Sequence, residues 1–322
     1  MFRLKYAIAA TVVAGLVGTV AAAMVTGPAS ASTGTVAGSR ILVHFDFAKG
    51  QAPENLVTDP RGVVDVTLAF SRQVVRVDAA GKMTVLATLP APVAATKCPI
   101  LNTPSFLSGI VRAGNGDLFV NYCTGSADLQ GIWRIRAGTR PVRIGALPAD
   151  TFPNGLAADR SGHLYATDSL RGVVWRLPVR GGTPAVWSAD PALRRTGFIG
   201  ANGLKVHNGA VWVSNLDAGT LVRIGIQRGG TAGAARIRAT GLPGVDDFDF
   251  VADGCDTVLV ALNPSSQVVR VNPATGAHTV VLTAADGLSN PSSVAVGRHG
   301  AFVTSAAYFT MTDPNVLAAR IR

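Results

Sequence analysis

The chain has 322 residues, of which 48% are apolar and 15% charged, and it carries a formal charge of +10. This composition is typical of a globular protein and excludes a largely disordered chain, and the length allows one large or two small domains. The arginines are spread along the whole chain without a basic or aromatic-rich cluster, which argues against a nucleic-acid partner.

Residues 1–31 have the features of a secretory signal peptide. Arg3 and Lys5 form a basic segment, a long apolar stretch follows, and Ala29 and Ala31 provide the small residues of a cleavage site. Cleavage after Ala31 would leave residues 32–322 as one secreted domain without stable membrane association. The apolar run is also about long enough to span a bilayer, so an uncleaved membrane anchor is the alternative. In either case the body of the protein leaves the cytoplasm.

A unit of four short strands recurs six times. Its most visible part is an apolar pair followed by Arg and an aliphatic residue, with Arg at positions 76, 134, 176, 223, 270 and 320. Two strands precede each of these strings and a fourth follows all but the last, with Gly, Asp and Asn at the turns. Helical periodicity is absent. The repeat therefore predicts an all-β fold, a six-bladed β-propeller with four antiparallel strands per blade.

The two ends of the chain support ring closure. The sixth unit ends at Arg322, directly after its third strand, whereas an extra strand, RILVHFD at 40–46, comes before the first unit. An N-terminal strand that completes the last blade accounts for both observations. It also removes exposed strand edges, which are prone to aggregation.

The chain contains three cysteines, Cys98, Cys123 and Cys255. An oxidised pair is compatible with an extracellular protein. Closeness in sequence favours Cys98 and Cys123 as the pair, which would leave Cys255 as a buried thiol.

The first strand of each propeller blade lines the central channel, so the six residues that begin these strands should meet at one mouth. They are Glu54, Ser108, Asn154, Asn202, Asp246 and Ser292. Glu54, Asn154, Asn202 and Asp246 offer the oxygen ligands that hard cations prefer, which predicts one divalent cation, with calcium the best fit. Zinc is not expected, because these positions hold no His or Cys. The alternative is that these residues only shape turns in a polar channel.

The order and spacing of these residues resemble a known family. Glu54, "FPNGLAAD", "GANGLKV" and "DDFDF" are similar to motifs of the senescence marker protein/gluconolactonase family, which includes luciferin-regenerating enzyme, and more distantly to the paraoxonases. The resemblance covers roughly residues 40–322. It implies a divalent metal at the channel mouth, with Glu54, Asn202 and Asp246 as ligands and Asn154 binding metal or substrate. Asp247 and the absence of a mouth histidine depart from the paraoxonases.

These observations predict a secreted, monomeric, metal-dependent lactonase or esterase that acts on a small molecule. The cation would polarise the ester carbonyl, and Asp246 or Asp247 would act as general base. Substrate-binding side chains are expected at the channel mouth and in loops after the second strands: Ser108, Tyr122, Asp168, Asn215, Ser292 and Tyr308. Two alternatives are a non-hydrolytic cyclase or lyase that uses the same pocket, and a binding propeller of the NHL type without catalysis.

Overall fold

The computed structural model describes residues 36–321, except residues 94, 252–255 and 299. The predicted signal peptide (residues 1–31), Cys255 and His299 lie outside the described residues. In the described part of the chain, 24 strands form six four-stranded antiparallel sheets. The six-bladed propeller predicted from the repeat is therefore confirmed.

The blades follow one another along the chain. The first contains β2 (Pro53–Thr58), β3 (Val64–Leu68), β4 (Gln73–Val77) and β5 (Met83–Thr88). The second contains β6 (Phe106–Arg112), β7 (Leu118–Cys123), β8 (Gly131–Ile135) and β9 (Val142–Ala146). The third contains β10 (Pro153–Ala158), β11 (His163–Asp168), β12 (Val173–Pro178) and β13 (Ala185–Ser188).

The fourth blade contains β14 (Ala201–His207), β15 (Ala210–Asn215), β16 (Thr220–Ile226) and β17 (Ala232–Ala239). The fifth contains β18 (Val245–Phe250), β19 (Val258–Leu262), β20 (Gln267–Val271) and β21 (His278–Leu282). The last contains β22 (Pro291–Gly297), β23 (Gly300–Ser305), β24 (Asn315–Ile321) and β1 (Val36–His44). Short 3-10 helices span Phe47–Lys49, Pro191–Leu193 and Ala284–Asp286, and no helix in the described ranges has the length and apolar character needed to cross a membrane.

The ring closes between the two ends of the described chain. β1 is the outer strand of the last blade and pairs antiparallel with β24, with Val43 opposite Val316. The innermost strands of successive blades contact one another all the way round, including β22 of the last blade and β2 of the first. The inner strands therefore surround a common axis.

The repeated arginines of the third strands cover side chains of the neighbouring second strands. Arg76 forms an ion pair with Asp65, its cross-strand partner, at 2.8 Å. The guanidinium of Arg176 lies 5.8 Å from the ring centre of Tyr165, its own cross-strand partner. Arg223 covers Trp212 in the same way. In these three blades the repeated arginine therefore pairs with a side chain of the adjacent strand.

Each first strand has an irregular register close to its start. In β18, for example, the pairing with β19 shifts between Val245 and Phe248, and equivalent shifts occur in the other five inner strands. Such a bulge breaks the strict alternation of side chains. Two successive residues, such as Asp246 and Asp247, can therefore both reach groups of other blades.

The predicted disulfide is present. Cys98 and Cys123 are bonded, which ties the connection between β5 and β6 to the end of β7. Both cysteines are fully buried in the apolar cluster that lies over one end of the channel.

Candidate functional site

Hydrogen bonds between blades fix the strand starts that carry the candidate site. In five blades a polar side chain of the second strand donates to the carbonyl oxygen of the mouth residue on the next blade. The pairs are Thr67 to Ser108 at 2.8 Å, Asn121 to Asn154 at 2.8 Å, Thr167 to Asn202 at 2.5 Å, Ser214 to Asp246 at 2.5 Å and Thr304 to Glu54 at 3.4 Å. The fifth blade has Ala261 at this position and lacks the bond. These bonds hold the mouth residues at equivalent heights around the axis.

The mouth brings together two carboxylates and an amide from three blades. Asn202 Nδ2 donates to Asp246 Oδ1 at 2.9 Å, and Asn263 Nδ2 donates to Asp246 Oδ2 at 3.2 Å. The Tyr308 hydroxyl donates to Glu54 Oε2. Asn202 Oδ1 is buried and has no hydrogen-bond partner among the described residues. The cluster therefore contains an amide oxygen with unused acceptor capacity beside two acids.

Burial and mutual repulsion shift the acidity of the two carboxyl groups. Burial raises the pKa of Glu54 to about 7; the Tyr308 hydrogen bond opposes this rise, and the charge of Asp247 adds to it. Burial also raises the pKa of Asp246 well above its usual range, and the charges of Glu54 and Asp247 add to the effect. A cation between Glu54 and Asp246 would favour the ionised form of both carboxyl groups and so offset the effects of burial and repulsion.

A second layer of side chains lies one residue further along each first strand. Asp247 Oδ2 accepts hydrogen bonds from Asn55 Nδ2 at 3.0 Å, Ser293 Oγ at 2.8 Å and Lys205 Nζ at 2.6 Å. A Cβ atom at Gly203 would lie only 2.4 Å from Asp247 Oδ1, so this position requires glycine. Asp247 Oδ2 is thus held by three donors and its Oδ1 lies against Gly203, so Asp247 links the inner strands below Asp246.

An apolar layer covers the mouth. We call this layer the mouth cluster. It includes Phe70, Phe106, Phe152, Phe198 and Tyr308 together with the Cys98–Cys123 disulfide. The rings of Phe70 and Phe106 meet edge to face at 5.7 Å, and Phe106 lies 5.6 Å from Phe152. Beneath this layer only 4% of Glu54 and 7% of Asp246 is exposed. The cluster thus causes the desolvation that shifts the two carboxyl groups.

Of the predicted substrate ligands, Tyr308 contacts Glu54, whereas Ser108 and Ser292 bind backbone carbonyls. Ser108 Oγ donates to Pro153 O at 2.8 Å, and Ser292 Oγ donates to Pro53 O at 2.9 Å. Each serine therefore binds the backbone of the following blade. The hydroxyl groups of these two serines therefore point to the neighbouring blade, and fewer than six polar side chains face the mouth.

Three further predicted substrate ligands organise loops. Asp168 Oδ1 accepts from the backbone amides of Phe152, Leu170 and Arg171. Asn215 donates to Ala192 O and Arg194 O, both at 2.9 Å. Tyr122 is fully buried between blades, and its hydroxyl donates to Pro90 O at 2.7 Å. The polar atoms of Tyr122, Asp168 and Asn215 thus have partners within the protein, and their contact with a substrate stays a prediction.

Asn154 lies at the mouth as predicted. It is buried, and its carbonyl is held by Asn121, but within the described ranges its side chain makes no hydrogen bond. Sequence reasoning did not assign Asn263 a role at the carboxylates, although it contacts Asp246. Its position after a second strand was visible in the sequence, but the direction of its side chain was not.

The histidines among the described residues lie away from this cluster. His207 stacks on Phe250 at 3.8 Å beside a cavity of about 380 Å³ that Lys205 and Asp249 also line. His163 follows the first strand of the third blade and pairs with Asp159 at 3.5 Å. In the part of the chain that the structure describes, no histidine contacts Glu54, Asn202 or Asp246.

The donor set of the mouth suits a hard cation. Among the described residues no group of three or more His, Cys, Asp or Glu side chains is arranged to hold a metal ion. The mouth instead offers the carboxylates of Glu54 and Asp246 with amide oxygens of Asn154 and Asn202. The unpartnered Asn202 Oδ1 and the repulsion between the acids both fit a divalent ion with oxygen ligands.

Several solved structures have a similar architecture. Regucalcin from Agrobacterium tumefaciens, a calcium-binding protein, is 16% identical with a TM-score of 0.63; the match covers 89% of this chain and 96% of that one. A gluconolactonase from Xanthomonas campestris is 16% identical with a TM-score of 0.62, over 92% and 97% of the two chains. This chain shares their propeller fold.

A third similar structure is a catalytically inactive virginiamycin B lyase from Staphylococcus aureus, solved with quinupristin. It is 14% identical with a TM-score of 0.58, over 84% of this chain and 81% of that one. No family model and no curated protein matches the sequence. The resemblance to gluconolactonase-like proteins is therefore borne out by the fold, and activity has to be argued from the site.

Proposed function

We propose that this protein is a metal-dependent hydrolase that opens a lactone or cleaves a small ester at the channel mouth, with calcium as the cation. The observation that carries the proposal is the buried cluster of Glu54, Asn202 and Asp246, in which an amide oxygen lacks a partner and two acids repel each other. Similarity in fold to a gluconolactonase and to a calcium-binding regucalcin supports it.

The roles of the residues follow from their contacts. A cation held by Glu54, Asn154, Asn202 and Asp246 would supply a Lewis acid for the ester carbonyl. Asn202 and Asn263 orient Asp246, which we assign as the group that accepts a proton from the attacking water. Glu54 is held in place by Tyr308.

Asp247 has a supporting role in this scheme. Its bonds to Asn55, Ser293 and Lys205 connect its own blade with three others below the mouth. We assign it to positioning of the strand that carries Asp246. The ammonium group of Lys205 offsets its charge, so that it adds less repulsion to the mouth.

A panel of lactones and aryl esters, assayed with and without calcium, tests the proposal. We expect calcium-dependent hydrolysis that falls at least a hundredfold in Glu54→Gln and Asp246→Asn. Asp249→Asn is the matched control, because Asp249 is a partly buried acid of the same strand whose oxygens accept from the amides of Phe250 and Val296. If the wild-type protein hydrolyses no member of the panel, the hydrolase proposal fails.

A lyase or cyclase is the second candidate. The acids lie beneath an apolar layer that restricts water, and Glu54, with a pKa of about 7, could take a proton from carbon. The similar fold of the virginiamycin B lyase agrees with this reaction class. Mass spectrometry separates the two candidates, because hydrolysis raises the total product mass by one water above the substrate mass, whereas elimination leaves the total mass unchanged. A protein that binds ligand without turnover would support a non-catalytic binding propeller.

We also propose that the protein is exported, through residues 1–31, and acts as a monomer on a small molecule. The basic start, the apolar stretch and the small residues before position 32 support export. N-terminal sequencing of secreted protein should find Ser32 first. Retention of the apolar stretch in a membrane fraction would favour the anchor instead.

A further inference from the structure

The rim of the mouth is apolar on several blades. Side chains that are only partly buried in the mouth cluster come from loops of blades one, three, four and six: Phe70, Leu170, Phe198, Leu216 and Tyr308. Apolar side chains that collect at one exposed place are uncommon on a protein surface and mark binding surfaces. The hydroxyl of the rim residue Tyr308 donates to Glu54 and so connects the rim with the acidic cluster.

Several polar side chains near the rim already have hydrogen-bond partners in the backbone. Gln130 Nε2 donates to Thr151 O at 2.7 Å, and Ser169 Oγ donates to Ala201 O at 2.6 Å. Asn290 Oδ1 accepts from the amides of Phe309 and Thr310. These side chains shape the loops and have no obvious capacity for a ligand. A substrate that carries many hydroxyl groups would meet aromatic edges and lose its hydrogen bonds to water.

We infer that the substrate is an apolar lactone or ester with an alkyl or aryl substituent, and not a polyhydroxylated sugar lactone. This inference rests on the proposed function, since it places the ester group at the carboxylate cluster and the substituent against the rim. Each buried methylene should improve kcat/KM roughly fourfold. Each hydroxyl buried without a partner should lower it roughly tenfold.

The test compares γ-lactones that carry alkyl chains of increasing length with glucono-δ-lactone, at saturating calcium. We expect kcat/KM to rise with each methylene and glucono-δ-lactone to be the poorest substrate. Phe70→Ala should flatten the dependence on chain length. Phe250→Ala removes a ring at the opposite end of the channel, where it stacks on His207, and should keep that dependence. Thermal unfolding of both variants checks that they fold.

The outcomes separate this inference from the proposed function. If hydrolysis depends on calcium but kcat/KM does not change with chain length, or is highest for glucono-δ-lactone, the inference is overturned while the hydrolase proposal stands. Chain-length-dependent binding of the same lactones without hydrolysis, measured by thermal shift, would support an apolar site and overturn the hydrolase.

Discussion

The Tyr308 hydroxyl donates a hydrogen bond to Glu54 Oε2, so a loop of the last blade is tied to the first strand of the first blade. The Tyr308 ring packs against Phe70 at 6.0 Å and Phe106 at 6.3 Å. One side chain therefore belongs both to the apolar cover and to the acidic cluster. A substitution in the apolar cover should therefore alter the acidic cluster, and the reverse should also hold.

Tyr308→Phe tests this link. The hydrogen bond favours ionised Glu54, so its loss should raise the Glu54 pKa and move the pH midpoint of calcium binding upward. Calcium titrations over a series of pH values measure the midpoint. Tyr122→Phe is the control, because it also removes a buried hydroxyl, one that donates to Pro90 O, and should cost about 1 kcal/mol without moving the midpoint. Equal midpoints in all three proteins would contradict the link.

Glu54 should make the metal-free protein less stable as the pH rises. Its pKa is raised from 4.5 to about 7 in the folded state, so the stabilisation from its bound proton is complete below pH 4.5 and is lost as the pH passes 7. The loss corresponds to roughly 3 kcal/mol. In chelator, melting temperatures measured across this range should fall more for wild type than for Glu54→Gln, which does not ionise. Parallel curves would show that Glu54 has an ordinary pKa.

Asn263 should matter through Asp246. Removing its amide in Asn263→Ala frees Asp246 Oδ2, and loss of such a supporting hydrogen bond to a metal ligand typically costs roughly tenfold in metal affinity. Calorimetric titration with calcium measures the change. Asn272→Ala removes an amide from an exposed turn and should leave the affinity unchanged. If Asn263→Ala binds calcium as tightly as Asn272→Ala and wild type, the hydrogen bond from Asn263 does not support calcium binding by Asp246.

The inter-blade bonds should stabilise the ring. Thr167→Val removes the hydroxyl that donates to Asn202 O and accepts from Gly155 N, which should cost about 1–3 kcal/mol in unfolding free energy. Thr220 provides the matched control, because its hydroxyl is buried without a partner among the described residues, and Thr220→Val should be neutral or stabilising. Denaturant unfolding measures both changes. Equal losses would mean that the hydroxyl of Thr167 contributes nothing specific.

The fold and the acidic part of the site could be predicted because six copies of one unit repeat the same local signals. Turn residues and alternating strands fix the blade, and equivalent positions then place Glu54, Asn202 and Asp246 around one axis. The inter-blade donors could also have been found, since alignment of the units puts Thr67, Thr167 and Ser214 at one position. Within any single strand, however, these residues carry no signal that sets them apart.

The loop residues could not be predicted in the same way. Asp168 and Tyr308 both follow second strands, yet Asp168 turns back to bind three backbone amides and Tyr308 reaches Glu54. The direction in which each side chain points depends on the local loop geometry, including the left-handed backbone of Ala307 before Tyr308. The separate roles of Asp246 and Asp247 depend on the bulge in β18, which the order of residues alone does not reveal.

Calcium titration of chelator-treated protein by isothermal calorimetry tests the central claim most directly. We predict one calcium ion per chain, with affinity that falls at least tenfold in Glu54→Gln and in Asp246→Asn, because each change removes one of the two anions at the mouth. Asp249→Asn, which alters an acid deeper in the same strand, should bind calcium like wild type. Absence of calcium binding by the wild-type protein, or binding that Glu54→Gln and Asp246→Asn both retain in full, would contradict a metal centre at the channel mouth.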